Sequence, residues 1–141
     1  MTEALAPCPF GGAVLAGQAG CALARRRARG ELEEVACLSP ITHVNCALLI
    51  GLLRERGAFA LRLPPPSRPL AHAQAMRLQC GGSRALAQAL GHDRPGDVGA
   101  LVAEAQSRWG ALADLPFATI VPAMAAWQPR RRSGVGGEPA S

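Results

Sequence analysis

Four of the five cysteines of this 141-residue chain lie within its first 46 residues, and this clustering constrains the fold more than any other feature of the sequence. The four are Cys8, Cys21, Cys37 and Cys46. Because four thiolates complete the shell of a zinc ion or an iron–sulfur cluster, we expect this region to fold around a shared metal centre. The intervening stretches of twelve, fifteen and eight residues match no compact ligand motif that would identify the metal.

The N-terminal segment favours a reducing compartment. It carries Glu3 where an export signal needs basic residues, and the apolar stretch from 13 to 23 is interrupted by Gly17 and Gly20. We therefore expect a cytoplasmic protein without a membrane span, whose cysteines stay reduced. Reduced and clustered cysteines favour metal binding over structural disulfides.

The wide spacing of the four cysteines favours an iron–sulfur cluster, since zinc sites usually hold two ligands in a close pair. We expect a cluster of undetermined type bound by all four. Its role would be electron transfer, redox sensing or cluster handling, with a protein redox or assembly partner. Zinc is the alternative metal, and His43 or Cys80 could replace one ligand. Two explanations without a metal remain: ordinary burial, because free cysteine is among the most buried residue types, and use as a disulfide or redox switch.

Cys80 also supports a different hypothesis, a thiol enzyme. It ends a predicted strand and precedes Gly81 and Gly82, whose backbone N–H groups could face an anion or oxyanion. His72 or His43 could then serve as the base. No third group that would orient such a base can be identified, so the sequence favours a protein without catalytic activity.

Arginine supplies all fifteen basic residues, and the net charge is +5. The arginines concentrate at 25–29 and 130–132. A zinc-stabilised module that binds nucleic acid or an acidic partner through these runs is therefore a second hypothesis. No aromatic residues alternate with the arginines to stack on bases, so nucleic acid is the less favoured partner and a solvated face is preferred.

Hydrophobic periodicity predicts a mainly α fold with a minor two-stranded β element, an α+β arrangement of about five helices. A single domain is expected over 1–127, with a cysteine-rich half at 1–56 and a disordered tail at 128–141. Helices are predicted over 13–29, 40–56, 83–90, from Asp97 to Trp109, and 114–127. The strands are predicted at 59–63 and 76–80, and a helix over 70–80 is the alternative for the second.

Overall fold

The computed structural model describes residues 5–129 of the chain. It is mainly helical with one two-stranded antiparallel sheet, which confirms the predicted fold class. In chain order the elements are α1 (Gly11–Leu15), β1 (Ala24–Arg29), β2 (Leu32–Cys37), α2 (Pro40–Leu61), α3 (His72–Met76), α4 (Gly82–Ala89), α5 (Val98–Trp109) and α6 (Phe117–Ala126). A π-helical turn, Arg77–Gly81, joins α3 to α4. The predicted tail lies outside the described residues from position 130 onward.

The sheet lies where a helix was predicted. The predicted helix over 13–29 is wrong beyond Leu15, because the chain turns there and then forms the β1–β2 hairpin, with Arg29 opposite Leu32. Gly17 follows α1 with a φ of +75°, and Gly30 forms the turn between the two strands with a φ of +64°. Both values lie in the left-handed region that glycine adopts without strain. Gly30 is therefore a turn residue between strands and not a helix stop.

Ion pairs connect the two strands of the hairpin. Arg27 and Arg29 on β1 both pair with Glu34 on β2, and Arg26 pairs with Glu33. Opposite charges on facing strands favour pairing. The Arg27 side chain also holds the pKa of the Glu34 carboxyl below its ordinary value. The run of arginines does not by itself predict these ion pairs, because the glutamates that form them lie on the next strand.

Both predicted strands are helical. Residues 59–61 belong to α2, which continues past Gly57 and ends where Arg62 adopts a left-handed conformation with φ 54°. Residues 76–80 belong to the end of α3 and the π turn, as the alternative of a helix over 70–80 proposed. Five residues of apolar and polar alternation do not separate a strand from a helix that is partly buried.

Two of the remaining helices, α2 and α5, begin at side-chain caps. Ser39 Oγ accepts a hydrogen bond from the Thr42 N–H at 3.1 Å, and Asp97 Oδ1 accepts one from the Ala100 N–H at 2.9 Å. The predicted helices at 83–90 and 114–127 correspond to α4 and α6, and Pro122 lies inside α6. Caps located the starts of α2 and α5 correctly because a cap is a local interaction that needs no tertiary partner, whereas α4 and α6 have no side-chain cap.

The core lies where α2, the π turn, α4 and α6 meet, and glycines make the contact close. A Cβ on Gly82 would lie 2.7 Å from Leu53 Cδ1, and one on Gly81 would lie 2.8 Å from the Met124 carbonyl oxygen. Large side chains that are essentially inaccessible to solvent fill the space around them: Phe10, Leu49, Leu53, Leu78, Leu86, Ile120 and Met124. The absence of side chains at the two glycines therefore sets the distance between α6 and the π turn.

Replacement of Gly81 by alanine should lower the free energy of unfolding by about 2 kcal/mol, because the neighbour at 2.8 Å is backbone and cannot rotate away. Gly51→Ala is the matched control. It lies in α2 with open space around its Cβ position and should stabilise the protein by about 0.5–1 kcal/mol through helix propensity. Urea unfolding followed by circular dichroism measures both, and equal effects of the two substitutions would refute the packing argument.

The outer face of the first turns of α2 is apolar and exposed. Ile41, Val44 and Leu48 keep 76, 62 and 51% of their accessible surface, and α2 has no charged residue before Arg54. Within residues 5–129, no helix has both the length and the apolar character needed to cross a membrane.

Candidate metal centre

The four N-terminal cysteines line one cavity. Cys8, Cys21, Cys37 and Cys46 reach it from the segment before α1, the segment before β1, the end of β2 and the second turn of α2. Apolar side chains, including Phe10, Val14 and Val98, complete the walls. Phe10 is fully buried, so the segment that carries Cys8 is anchored in the core.

Backbone pairing brings Cys8 and Cys37 to the same side of the hairpin. The N-terminal segment lies antiparallel to β2, with Pro7 opposite Ala36. The Cys8 N–H donates to the Val35 carbonyl at 2.8 Å, and the Cys37 N–H donates to the Ala6 carbonyl at 2.9 Å. The two cysteines are thus positioned by main-chain hydrogen bonds, which hold whatever the state of their sulfur atoms.

Cys21 is held against the N-terminus of α5. The Val98 N–H donates to the Gly20 carbonyl at 2.8 Å, and the Ala22 N–H donates to Asp97 Oδ2 at 2.9 Å. The residues on both sides of Cys21 are therefore bonded to the cap of α5. Burial would raise the pKa of Asp97, but hydrogen bonds from backbone N–H groups and from Cys21 outweigh it and lower that pKa.

Gly99 and Thr42 shape the cavity, and sequence reasoning missed both. A Cβ on Gly99 would lie 3.1 Å from Cys21 Sγ and 3.4 Å from Thr42 Cγ2, so glycine lets α5 approach the sulfur and α2 closely. Thr42, four residues before Cys46, lines the cavity, whereas His43 does not. A helical residue four positions away lies on the same face, which is the signal that would have indicated Thr42.

The cavity strongly disfavours an isolated thiolate at Cys46. Burial raises the pKa of this thiol to about 12, and repulsion from Cys8, Cys21, Cys37 and Asp97 adds to the effect. Burial also raises the pKa of Cys8, although a hydrogen bond from the Phe10 backbone opposes it. Mutual repulsion among these groups is a sign of their proximity, and a bound cation would reverse it because metals bind the thiolate form.

Two helix N-termini face this group of sulfur atoms. Cys37 precedes α2 in the chain, and its Sγ donates to the Ser39 carbonyl at 3.3 Å. Cys21 packs from another segment against Gly99, in the first turn of α5. The positive end of a helix dipole favours negative charge near its first turn. The protein thus supplies partial positive charge on the side where four thiolates would gather.

The space among the sulfur atoms is small. The cavity volume is about 10 Å³ for the centre of a water-sized sphere, which is room for about one water molecule. Among residues 5–129, no three histidine, cysteine or acidic side chains are gathered closely enough to hold a single metal ion. The four thiols therefore surround a common space without converging on one point.

Cys80 lies apart from this cavity, in the π turn, and is 1% exposed. The predicted strand end at Cys80 is wrong, and Gly81 and Gly82 lie within a continuous helical segment, so they do not form an anion-binding strand-to-helix turn. Burial raises the pKa of Cys80 to about 11, which keeps the thiol protonated at neutral pH. Neither His43 nor His72 lines the cavity that Cys80 borders. These features disfavour Cys80 as a nucleophile.

No protein-family model matches this chain, and no curated protein or solved structure does so either. The function must therefore be argued from the site itself.

Proposed function

We propose that this protein binds an iron–sulfur cluster through Cys8, Cys21, Cys37 and Cys46. The observation that carries the proposal is that four thiols, distant in sequence and borne by four different segments, line one apolar cavity. Four soft ligands in a largely dry pocket match the requirement of such a cluster. A reducing cytoplasmic location is part of the proposal, since the thiols must stay reduced to bind.

The spread of the sulfur atoms supports a cluster over a single ion. One zinc ion requires its ligands to converge to metal–sulfur distances of about 2.3 Å. An iron–sulfur cluster contains several metal and sulfide atoms and distributes its cysteine ligands over two or more irons, so its ligands surround a space. Thiols that share a cavity but do not form a single-ion site favour the second arrangement, and the cavity, which has room for about one water molecule, would have to widen to hold a cluster.

Zinc is the second candidate because the cavity is only about one water molecule in size. The associated hypothesis of nucleic-acid binding gains little support from the described arginine run, because Arg26, Arg27 and Arg29 are paired with glutamates of β2. The second run, at 130–132, lies outside the described residues.

The surroundings of the cavity favour a role in electron transfer or cluster delivery to a protein partner. Thr42 and Cys46 line the cavity from one face of α2, and the exposed Ile41, Val44 and Leu48 occupy other positions of the same turns. An exposed apolar patch of this kind is typical of protein contact sites. A partner bound there would lie about one helix diameter, roughly 10 Å, from the cluster.

The test is metal analysis of the full chain purified without oxygen. The proposal expects brown protein that contains iron and acid-labile sulfide in equal amounts. Colourless protein with about one zinc per chain would replace the cluster with the zinc alternative. Protein that contains neither metal, even after reconstitution with iron and sulfide, and whose five thiols all react with a thiol reagent after unfolding, would overturn both candidates.

A further inference from the structure

A second region of the surface contains cavities large enough for a small molecule. Two adjoining cavities of about 450 and 570 Å³ lie between the end of α6, the outer face of α4 and the turn that precedes α5, and both are lined by Gln18 and Arg84. We call this region the arginine groove and define it by Gln18, Arg84, Gln88, Arg94 and Trp127. Its size suits a small molecule. It shares no lining residue with the cysteine cavity.

The groove receives the polar side chains of a helix that is otherwise buried. Along α4, positions 82, 83, 85, 86 and 87 are buried, while Arg84 and Gln88 are exposed and line the groove. Residues four apart lie on one helical face, so the two side chains project in the same direction. The orientation of α4 is fixed by the core, and the direction of these two side chains is fixed with it.

Arginine dominates the charge of the groove. Arg94 contributes from the turn before α5, and neither Arg84 nor Arg94 forms an ion pair within residues 5–129. Asp93 lines the same cavity, so two arginines and one aspartate leave a single net positive charge. His92 is bonded to Glu104 at 2.9 Å, which holds this turn against α5.

We propose that the arginine groove binds a small phosphate monoester that carries a hydroxylated, planar group, the chemistry of a nucleoside monophosphate. The guanidinium fork of arginine matches phosphate oxygens, and Arg84 and Arg94 supply two. Gln18, Gln88 and Asp93 provide donors and acceptors for hydroxyl groups or a ring edge. Trp127 provides an aromatic surface in the first cavity, where a planar ring can stack.

Tryptophan fluorescence gives a direct test. The chain has two tryptophans, so Trp109→Phe leaves Trp127 as the single reporter. Adenosine monophosphate is titrated into this full-length variant at low ionic strength, and inorganic phosphate is then added as a competitor. The proposal expects a saturable change in Trp127 emission with adenosine monophosphate, and displacement by phosphate. No saturable change at millimolar concentrations of the nucleotide overturns it.

Two further variants separate a built site from general charge attraction. Arg84→Gln combined with Arg94→Gln should weaken binding by about tenfold or more, because charge-assisted hydrogen bonds are lost. Arg25→Gln removes an exposed arginine of β1 and should change the dissociation constant by less than about twofold. Equal weakening by Arg25→Gln would overturn the proposal. Circular dichroism confirms that each variant is folded, and the result does not depend on whether the cysteines hold a metal.

Discussion

The Cys46→Ala variant should lose its metal and, with it, more than about 3 kcal/mol of unfolding free energy. Cys46 is 5% exposed and lies in the longest helix, so a metal bound there ties α2 to the hairpin and to the segment before α1. Metal binding to a folded site contributes its free energy directly to folding. Iron, sulfide and zinc per chain, together with chemical unfolding of protein prepared without oxygen, measure the two effects.

Cys80→Ala is the matched control for this prediction. Cys80 is also buried, and its pKa is also raised by burial, but it lies outside the cysteine cavity. Loss of one buried sulfur atom should cost about 1 kcal/mol and leave the metal content unchanged. If Cys46→Ala and Cys80→Ala have the same small cost and the same metal content, Cys46 is an ordinary core residue and the metal proposal fails.

The helices that could be predicted from the sequence are those with a local start signal. Ser39 before Pro40 and Asp97 before Val98 fixed the starts of α2 and α5 because a side-chain cap depends only on residues within one turn. The mainly α character followed from these helices, whereas the two-stranded element was predicted at the wrong segments of the chain. The end of α2 was harder to predict, since Gly57 does not stop the helix but packs against Met124 from another part of the chain.

The hairpin could not be predicted because its evidence is spread over two strands. Arg27 faces Glu34 and Arg26 pairs diagonally with Glu33, and both contacts depend on the register between the two strands. Read alone, the segment over 13–29 has the composition of a helix. The predicted strands at 59–63 and 76–80 were wrong for the same reason, since short alternation is outweighed by packing in the core.

The four cysteines that line the cavity could be singled out from their number and clustering in the sequence. The residues that position them could not. Asp97 is recognisable as a helix cap, yet nothing local shows that its second oxygen binds the Ala22 N–H beside Cys21. Gly99 gives no signal at all, because its role is to leave room for Cys21 Sγ. A site assembled from four segments depends on contacts between α5, α2 and the hairpin, which a single sequence does not encode in any local pattern.

Metal-free protein should lose stability steeply above pH 9. The chain contains no lysine and no tyrosine, so its cysteines and its α-amino group are the groups that titrate between pH 8 and 12. In the unfolded chain a thiol ionises near 9.0, whereas burial in the folded protein raises the pKa of Cys46 to about 12 and that of Cys80 to about 11. The folded state therefore holds more protons in this range, and the free energy of unfolding falls as pH rises.

This alkaline loss should be several kcal/mol in metal-free protein, since each unit of pKa difference corresponds to about 1.4 kcal/mol. In metal-loaded protein the four ligands are already thiolates, so above about pH 10, where the thiols of the unfolded chain are ionised as well, only Cys80 contributes, and Cys80→Ala should remove most of the pH dependence in that range. Unfolding by urea at a series of pH values, with and without chelator, measures both slopes. Should the chelated protein be unfolded at neutral pH, the comparison of loaded wild type with loaded Cys80→Ala still tests the assignment. Identical slopes for those two proteins would contradict it, because no other thiol outside the cysteine cavity is present to titrate.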